Sequence, residues 1–245
     1  MSNVFLTSTG LYRPNHSISN EELVTAFNAY VDLHNEQHAA EIAAGHAQAL
    51  EYSDAAFIEK ASGIKSRYVI DKQGILDPTI MHPVVAERPD DELCIQAEMA
   101  VNAAKMSFEQ ANISSQDIDA VIVACSNLQR AYPAISIEVQ NALGIEGFAF
   151  DMNVACSSAT FGLQMAQNLI AAGTAKNILV ISPEICSAHL NFRDRDSHFI
   201  FGDVATACIL QAEQTVRAEH PYQILSTKLF TDFSNNIRNN GGFMN

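Results

Sequence analysis

The chain has 245 residues, 48% of them apolar and 17% charged, with a net charge of −14. That length suffices for one large α/β domain or two smaller ones with a substantial core. The acidic balance argues against nucleic acid or an anionic membrane surface as the main partner, and no apolar run approaches the ~20 residues of a membrane span. Met1–Thr7 has no basic stretch ahead of an apolar one, so it does not read as a secretory signal. The five cysteines form no CxxC pair and several sit in apolar runs, which suits free thiols in a reducing cytoplasm.

Asn3 to Thr9 reads as a first strand, followed by a turn over Gly10–Asn15. Ser19-Asn20-Glu21-Glu22 is a capping box that opens a helix. Residues 28–56 are helix-friendly but carry little sustained apolar stripe, and read as a peripheral helical excursion. His34 and His38 stand at i, i+4, as two zinc ligands on a helix do. Their His-Asn-Glu-Gln-His spacing puts Glu36 in the wrong slot for the zinc-protease motif, so a solvated helical face is the better reading and no metal site is expected. Phe57 to Val69 reads as a helix ending at Gly63 and then a strand, and 71–91, with three prolines, as a long loop.

Asp90 or Asp91 is placed to cap a helix running to about Asn112, with Ala97, Ala100, Val101, Ala104 and Phe108 inward. Asp119–Cys125 is a β-branched, apolar run suited to a strand buried on both faces. A helix over about Pro133–Leu143 ends at Gly144, and Phe148–Val154 reads as the next strand. Small residues Ala155–Ala159 then lead into a helix with Gly162, Met165, Ala166, Leu169 and Ile170 on one face and Gly173 as its cap. Further strands are expected at Asn177–Ser182, Ala205–Leu210 and Tyr222–Leu229. Alternating buried strands and helices give an α/β fold with a mixed, mainly parallel sheet covered by helices on both faces.

Cys156 falls at the strand-to-helix turn, on the first turn of the helix. Unpaired N–H groups and the helix dipole favour a thiolate there, and the small neighbours admit a substrate carbonyl. The plainer alternative is a buried cysteine acting as a small hydrophobe. Cys94, Cys125, Cys186 and Cys208 lack such a position and read as structural.

Several segments, in order, resemble the β-ketoacyl–acyl carrier protein synthase III family of the thiolase fold. They are Thr9–Pro14, Ser62–Arg67, Ile118–Val123, Ala131–Pro133, Leu143–Ile145, Asp151–Ser157, Asp194-Arg195 and Ile200–Asp203. The resemblance implies that Cys156 takes an acyl group from acyl-CoA, its substrate, and condenses it with malonyl–acyl carrier protein, with no resident cofactor. It also implies a homodimer in which Tyr132 walls the partner's acyl pocket. By the same resemblance Phe201 lines the route to the cysteine, while Arg195 and Phe57 hold the two faces of the CoA adenine. A core position for Tyr132 and Phe201, and a surface ion pair of Arg195 with Asp194 or Asp196, are the plainer alternatives.

Three departures mark a divergent branch. The inserted segments at about 28–56 and 71–91 are longer than the family pattern, and Ala61 stands where a basic residue is usual. The family's Gly-Asp-Gly-Ala-Gly-Ala turn is here Gly202-Asp203-Val204-Ala205-Thr206-Ala207, which removes backbone freedom. The family's histidine and asparagine partners of the cysteine belong to a second half of the fold. Residues 1–233 therefore read as an N-terminal half, 234–245 as the start of a connection, and the chain as part of a longer protein. Two other functions stay open: acyl transfer to a different acceptor, and a non-catalytic partner subunit. Docking an acidic carrier protein would need a basic patch, with Lys60, Lys65, Arg67, Arg193, Arg195 and Arg238 as candidates.

Overall fold

In a computed structural model of the chain, residues 3–234 are described. Strand β1 (Val4–Tyr12) runs past the expected turn, and β2 (His16–Ser19) follows it. Helix α1 (Asn20–Gln37) opens on the expected capping box, with the Ser19 hydroxyl and Glu22 carboxylate each taking a backbone N–H. Its inward row is Leu23, Phe27 and Val31, so the apolar stripe lies mostly ahead of residue 28. The excursion then holds only the short α2 (Ala39–Ala43) before α3 (Ala55–Ser62), which ends at left-handed Gly63. His34 and His38 lie ring to ring at 4.6 Å, and His38 pairs with Glu41.

Strand β3 (Ser66–Val69) pairs antiparallel with β2, and the single turn α4 (Gln73–Leu76) interrupts the long loop. Helix α5 (Ile95–Ala111) starts later than the aspartates suggested. The Glu138 carboxylate holds the Cys94 N–H (2.7 Å), a tertiary bond, and Arg88 holds the Leu93 carbonyl (2.7 Å) locally, so both residues stay ahead of the helix. Cys94 is the cap instead, its sulfur accepting the Ala97 N–H.

Strand β4 (Ala120–Ala124) is wholly buried, and α6 (Ile135–Leu143) ends at left-handed Gly144. Strand β5 (Phe148–Met152), helix α7 (Ser158–Ala171), β6 (Asn177–Ile185) and β7 (Asp203–Ala212) complete the domain's centre. Strand β8 keeps only Tyr222–Gln223 of the expected run. It pairs opposite Phe5 and Leu6, so two residues further on its partner strand has ended and Leu225 is 84% exposed.

The main sheet has the order β5-β4-β6-β7-β1-β8. Strand β4 is parallel to β5 and β6, and β7 lies antiparallel between β6 and β1. Four strands, β1, β4, β5 and β6, thus run one way and β7 and β8 oppose them. Alternation along β4 sends Val121 and Val123 to the layer of α5 and α6, and Ala120, Ile122 and Ala124 to the layer of α7. A third core, with Ile18, Leu23, Phe27, Ile58, Phe192 and Phe199, joins the β2–β3 ribbon to α1 and α3. Among the described residues no helix is long and apolar enough to cross a membrane.

Candidate active site

The carboxyl ends of β4, β5 and β6 lie side by side, and the chain leaving β5 turns sharply into α7. On α7 the inward row is Ser158, Gly162, Ala166 and Ile170, while Met165 is exposed. A Cβ on Gly162 would lie 2.9 Å from Ala124 Cβ and 3.0 Å from Val180 Cγ1, so its absence lets the helix rest directly on the sheet. The helix's first turn therefore sits at a fixed height over the ends of β4 and β6.

The turn itself is strained. Ala155 is left-handed at φ 48°, a conformation that costs a non-glycine residue roughly 1–3 kcal/mol. Hydrogen bonds on both sides hold it. Ser158 Oγ accepts the Val154 N–H (2.9 Å) and donates to the Ala155 carbonyl (2.7 Å). Asn153 Oδ1 accepts the Ala155 N–H (2.8 Å), and its Nδ2 donates to the Ser126 carbonyl (2.7 Å). Upstream, the Asp151 carboxylate accepts the Ile135 and Ser136 N–H groups at 2.9 and 2.8 Å, capping α6 from a neighbouring strand. Cys156 emerges from this turn exposed, two residues ahead of α7 rather than within its first turn. The residue thus lies next to the N-terminal end of a fourteen-residue helix, where the helix dipole favours an anion.

The other four cysteines differ in kind. Burial raises the pKa of the Cys94, Cys125 and Cys208 thiols. Burial, with the Glu184 and Asp203 carboxylates and Cys156 nearby, pushes Cys186 up to about 11. All four stay protonated near neutrality. Around them, buried Gln96 donates from one nitrogen to the Asn127 and Pro183 carbonyls, both at 2.7 Å, and ties β4 to β6 below the turn.

Arg195 and Phe57 are brought together. The guanidinium lies 5.3 Å from the Phe57 ring centroid, and its Nε donates to the Tyr52 carbonyl (2.8 Å). The Asp196 carboxylate is more distant, at 3.8 Å, so the aromatic contact and the backbone bond define the side chain's place. Below it, buried His198 stacks on Phe27 at 4.7 Å, and its Nδ1 bonds the Asp194 and Arg195 carbonyls. Burial lowers the pKa of this histidine, with the Arg67 charge adding to the effect.

Tyr132, 84% exposed, stands at the rim of a cavity of about 480 Å³ lined also by Arg88, Arg130 and Glu138, in which Cys156 has no part. Phe201, 48% exposed, precedes Gly202, where a Cβ would meet the Tyr68 carbonyl at 2.7 Å. The altered glycine positions cause no break. Val204 and Thr206 lie in regular strand β7, paired with Glu184 and Ser182, and β-branched residues suit a strand. Neither Asn153 nor Asp203 stands out in the sequence as a structural tie. Buried Asp203 accepts from the Ile70 N–H (2.8 Å), the Ser187 N–H (2.8 Å) and the Ser187 hydroxyl (2.7 Å), joining three segments beside the site.

One of the expected docking cations is not available. Arg67 is 5% exposed, bonded to the Ile18 carbonyl and Asn20 Oδ1, and burial pushes its pKa down to about 10. Lys60, Lys65 and Arg193 are exposed, and Arg238 lies outside the described residues.

Residues 150–232, which hold the cysteine turn, match the family described as 3-Oxoacyl-[acyl-carrier-protein (ACP)] synthase III. A beta-ketodecanoyl-[acyl-carrier-protein] synthase of Pseudomonas aeruginosa is 60% identical over 220 residues, covering 90% of this chain and 63% of that protein. A beta-ketoacyl-[acyl-carrier-protein] synthase III of Granulibacter bethesdensis is 32% identical over 95% of this chain and 58% of its own length. The chain thus spans about three fifths of the length of these relatives. Among solved structures, a 3-oxoacyl-(acyl carrier protein) synthase III of Pseudomonas aeruginosa superposes with a TM-score of 0.67 at 24% identity, over 94% of this chain and 56% of that one. The enzyme of the same description from Aquifex aeolicus gives 0.63 at 25% identity, over 86% and 54%. The strained turn with its exposed cysteine lies within the matched segment, and the chain shares the thiolase-like fold of these β-ketoacyl–acyl carrier protein synthases III.

Proposed function

We propose that this chain is the nucleophile-bearing half of a condensing acyltransferase that elongates a medium-chain acyl primer by two carbons. The observation that carries the reading is Cys156, exposed on a strained turn at the start of α7 in a chain 60% identical to a beta-ketodecanoyl-[acyl-carrier-protein] synthase. The Cys156 thiolate attacks the donor thioester carbonyl, the carbon–sulfur bond to CoA breaks, and CoA leaves as its thiolate. Amides at the helix start lower the energy of the intervening oxyanion. Malonyl–acyl carrier protein then loses CO₂, and the electron pair from that bond forms the new carbon–carbon bond at the acyl carbonyl. Cleavage of the Cys156 thioester frees the enzyme.

A β-ketodecanoyl product has ten carbons and malonyl contributes two, so the primer on this reading is an eight-carbon acyl group. Acyl-CoA is a substrate, and no resident cofactor is invoked. Phe57 and Arg195 are assigned to the adenine, which would part the two side chains and insert between them. Phe201 is assigned to the approach to Cys156. Tyr132, exposed and apolar in its body, is assigned to the contact between two copies of the protein. Residues 1–233 form one half of the catalytic fold, and a histidine and an asparagine beyond this chain complete the decarboxylating apparatus. The setting is the cytoplasm.

The test supplies the full-length protein with malonyl–acyl carrier protein and either two-, eight- or twelve-carbon acyl-CoA, and reads products by mass spectrometry. β-Ketodecanoyl–carrier as the dominant product supports the reading. Condensation with the two-carbon donor alone would overturn the primer assignment, and no condensation with any donor would overturn the reaction.

A further inference from the structure

The hydrogen bonds around the elbow form one path that crosses three strand ends. Glu184, on β6, accepts the Ser126 N–H (2.7 Å) and the Ser126 hydroxyl (2.6 Å). Ser126, just past β4, presents its carbonyl to Asn153 Nδ2 (2.7 Å). Asn153, just past β5, accepts the Ala155 N–H (2.8 Å). Ala155 is the left-handed residue directly ahead of Cys156.

We infer that Asn153 is a positioning residue for the nucleophile, with Ser126 and Glu184 as its anchor. The inference rests on Cys156 being the acyl-accepting thiol. An alanine seldom holds a positive φ unless its surroundings fix it. Here one side of the turn is fixed from within α7, by Ser158, and the other from outside it, by Asn153. Asn153 is the side chain that ties the turn to the sheet: its amide reaches both the Ala155 N–H and the next strand's carbonyl. An asparagine fits because the task needs an acceptor and a donor on one short planar group. Alanine there would leave Ala155 free to relax towards negative φ, which would move Cys156 from its place just ahead of α7. Glu184 acts one step further back, because its two bonds fix the orientation of the Ser126 peptide and hydroxyl.

Two readouts on the full-length protein test this: alkylation of Cys156 by iodoacetamide, located by peptide mass spectrometry, and the maximal rate of acyl-Cys156 formation at saturating eight-carbon acyl-CoA. Asn153→Ala should lower both by roughly tenfold, in line with losing two modest hydrogen bonds, with the half-saturating donor concentration unchanged. Asn153→Ser keeps an acceptor for the Ala155 N–H and should recover most of the loss. Glu184→Ala should slow both in the same direction and by less. Rates are taken per folded molecule, from circular dichroism and unfolding midpoints. A folded Asn153→Ala protein that alkylates and acylates at the wild-type rate overturns the inference, as does a Ser variant no better than Ala. Should Asn153→Ala fail to fold, the Ser and Glu184→Ala proteins decide, and wild-type rates in both overturn it. Fast alkylation of wild-type Cys156 without acyl transfer defeats the acyltransferase reading instead, and the alkylation rates of the variants still decide the role of Asn153.

Discussion

Asp203 shows how much single residues beside the site contribute to the fold. Its carboxylate serves three donors from two other segments, and burial raises its pKa. Asp203→Ala strands those donors in a buried setting, and unsatisfied groups of this kind cost roughly 1–3 kcal/mol each before relaxation. The expected loss is about 3 kcal/mol in urea unfolding, with Asp203→Asn losing about half because it keeps one acceptor. His198 makes stability depend on pH. Its folded pKa lies below the unfolded value, so the unfolded chain binds more protons as the medium is acidified. Its contribution is complete above the unfolded pKa and is lost as pH falls through the folded one. The urea midpoint should therefore drop between about pH 7 and pH 5, and His198→Gln should flatten that slope. The facing charges, Arg67 and Asp194, oppose one another, which leaves burial as the governing cause. Neither role was legible in the sequence, since each depends on partners far along the chain. Cys156 was legible, because a strand, small residues and a helix follow one another locally. The left-handed Ala155 was not, since the Asn153–Ser126 bond that fixes it is long-range.

Helices and strands followed their local signals where local bonds decide. The capping box of α1, the left-handed glycines after α3 and α6, and the buried run of β4 all stand where their residues put them. The exceptions have tertiary causes: Glu138 delays α5, and the end of β1 truncates β8. Helix α7 is the element on which the site depends most. Gly162→Val would drive methyl groups into Ala124 and Val180, an overpacking that typically costs 1–3 kcal/mol, so about 2 kcal/mol is expected in unfolding. Because the helix start carries the cysteine turn, the same variant should acylate more slowly while still folded. An unchanged acylation rate would mean that the turn is held independently of the helix's seat on the sheet.

At the scale of the whole molecule, a net charge of −14 must be reconciled with an acidic carrier protein as proposed partner. With Arg67 buried, Lys60, Lys65 and Arg193 are the exposed cations left among the described docking candidates, and Arg193 already donates to the Thr79 and Ile80 carbonyls. Lys65 already pairs with Glu59 at 3.2 Å, so the patch is modest. Carrier affinity should fall steadily as salt rises beyond about 0.1 M, where screening shortens to about 10 Å. A flat salt response in a carrier-binding titration would remove this surface from consideration. The ordered motifs pointed to the fold, while Cys156 as nucleophile and Tyr132, Phe201, Phe57 and Arg195 as substrate and partner contacts are assignments. The most direct measurement of the central claim is the intact and peptide mass of the full-length protein after incubation with eight-carbon acyl-CoA. One acyl group on Cys156 in the wild type, and none in Cys156→Ala, is the predicted result. Acyl label on another cysteine, or undiminished label in Cys156→Ala, would contradict it.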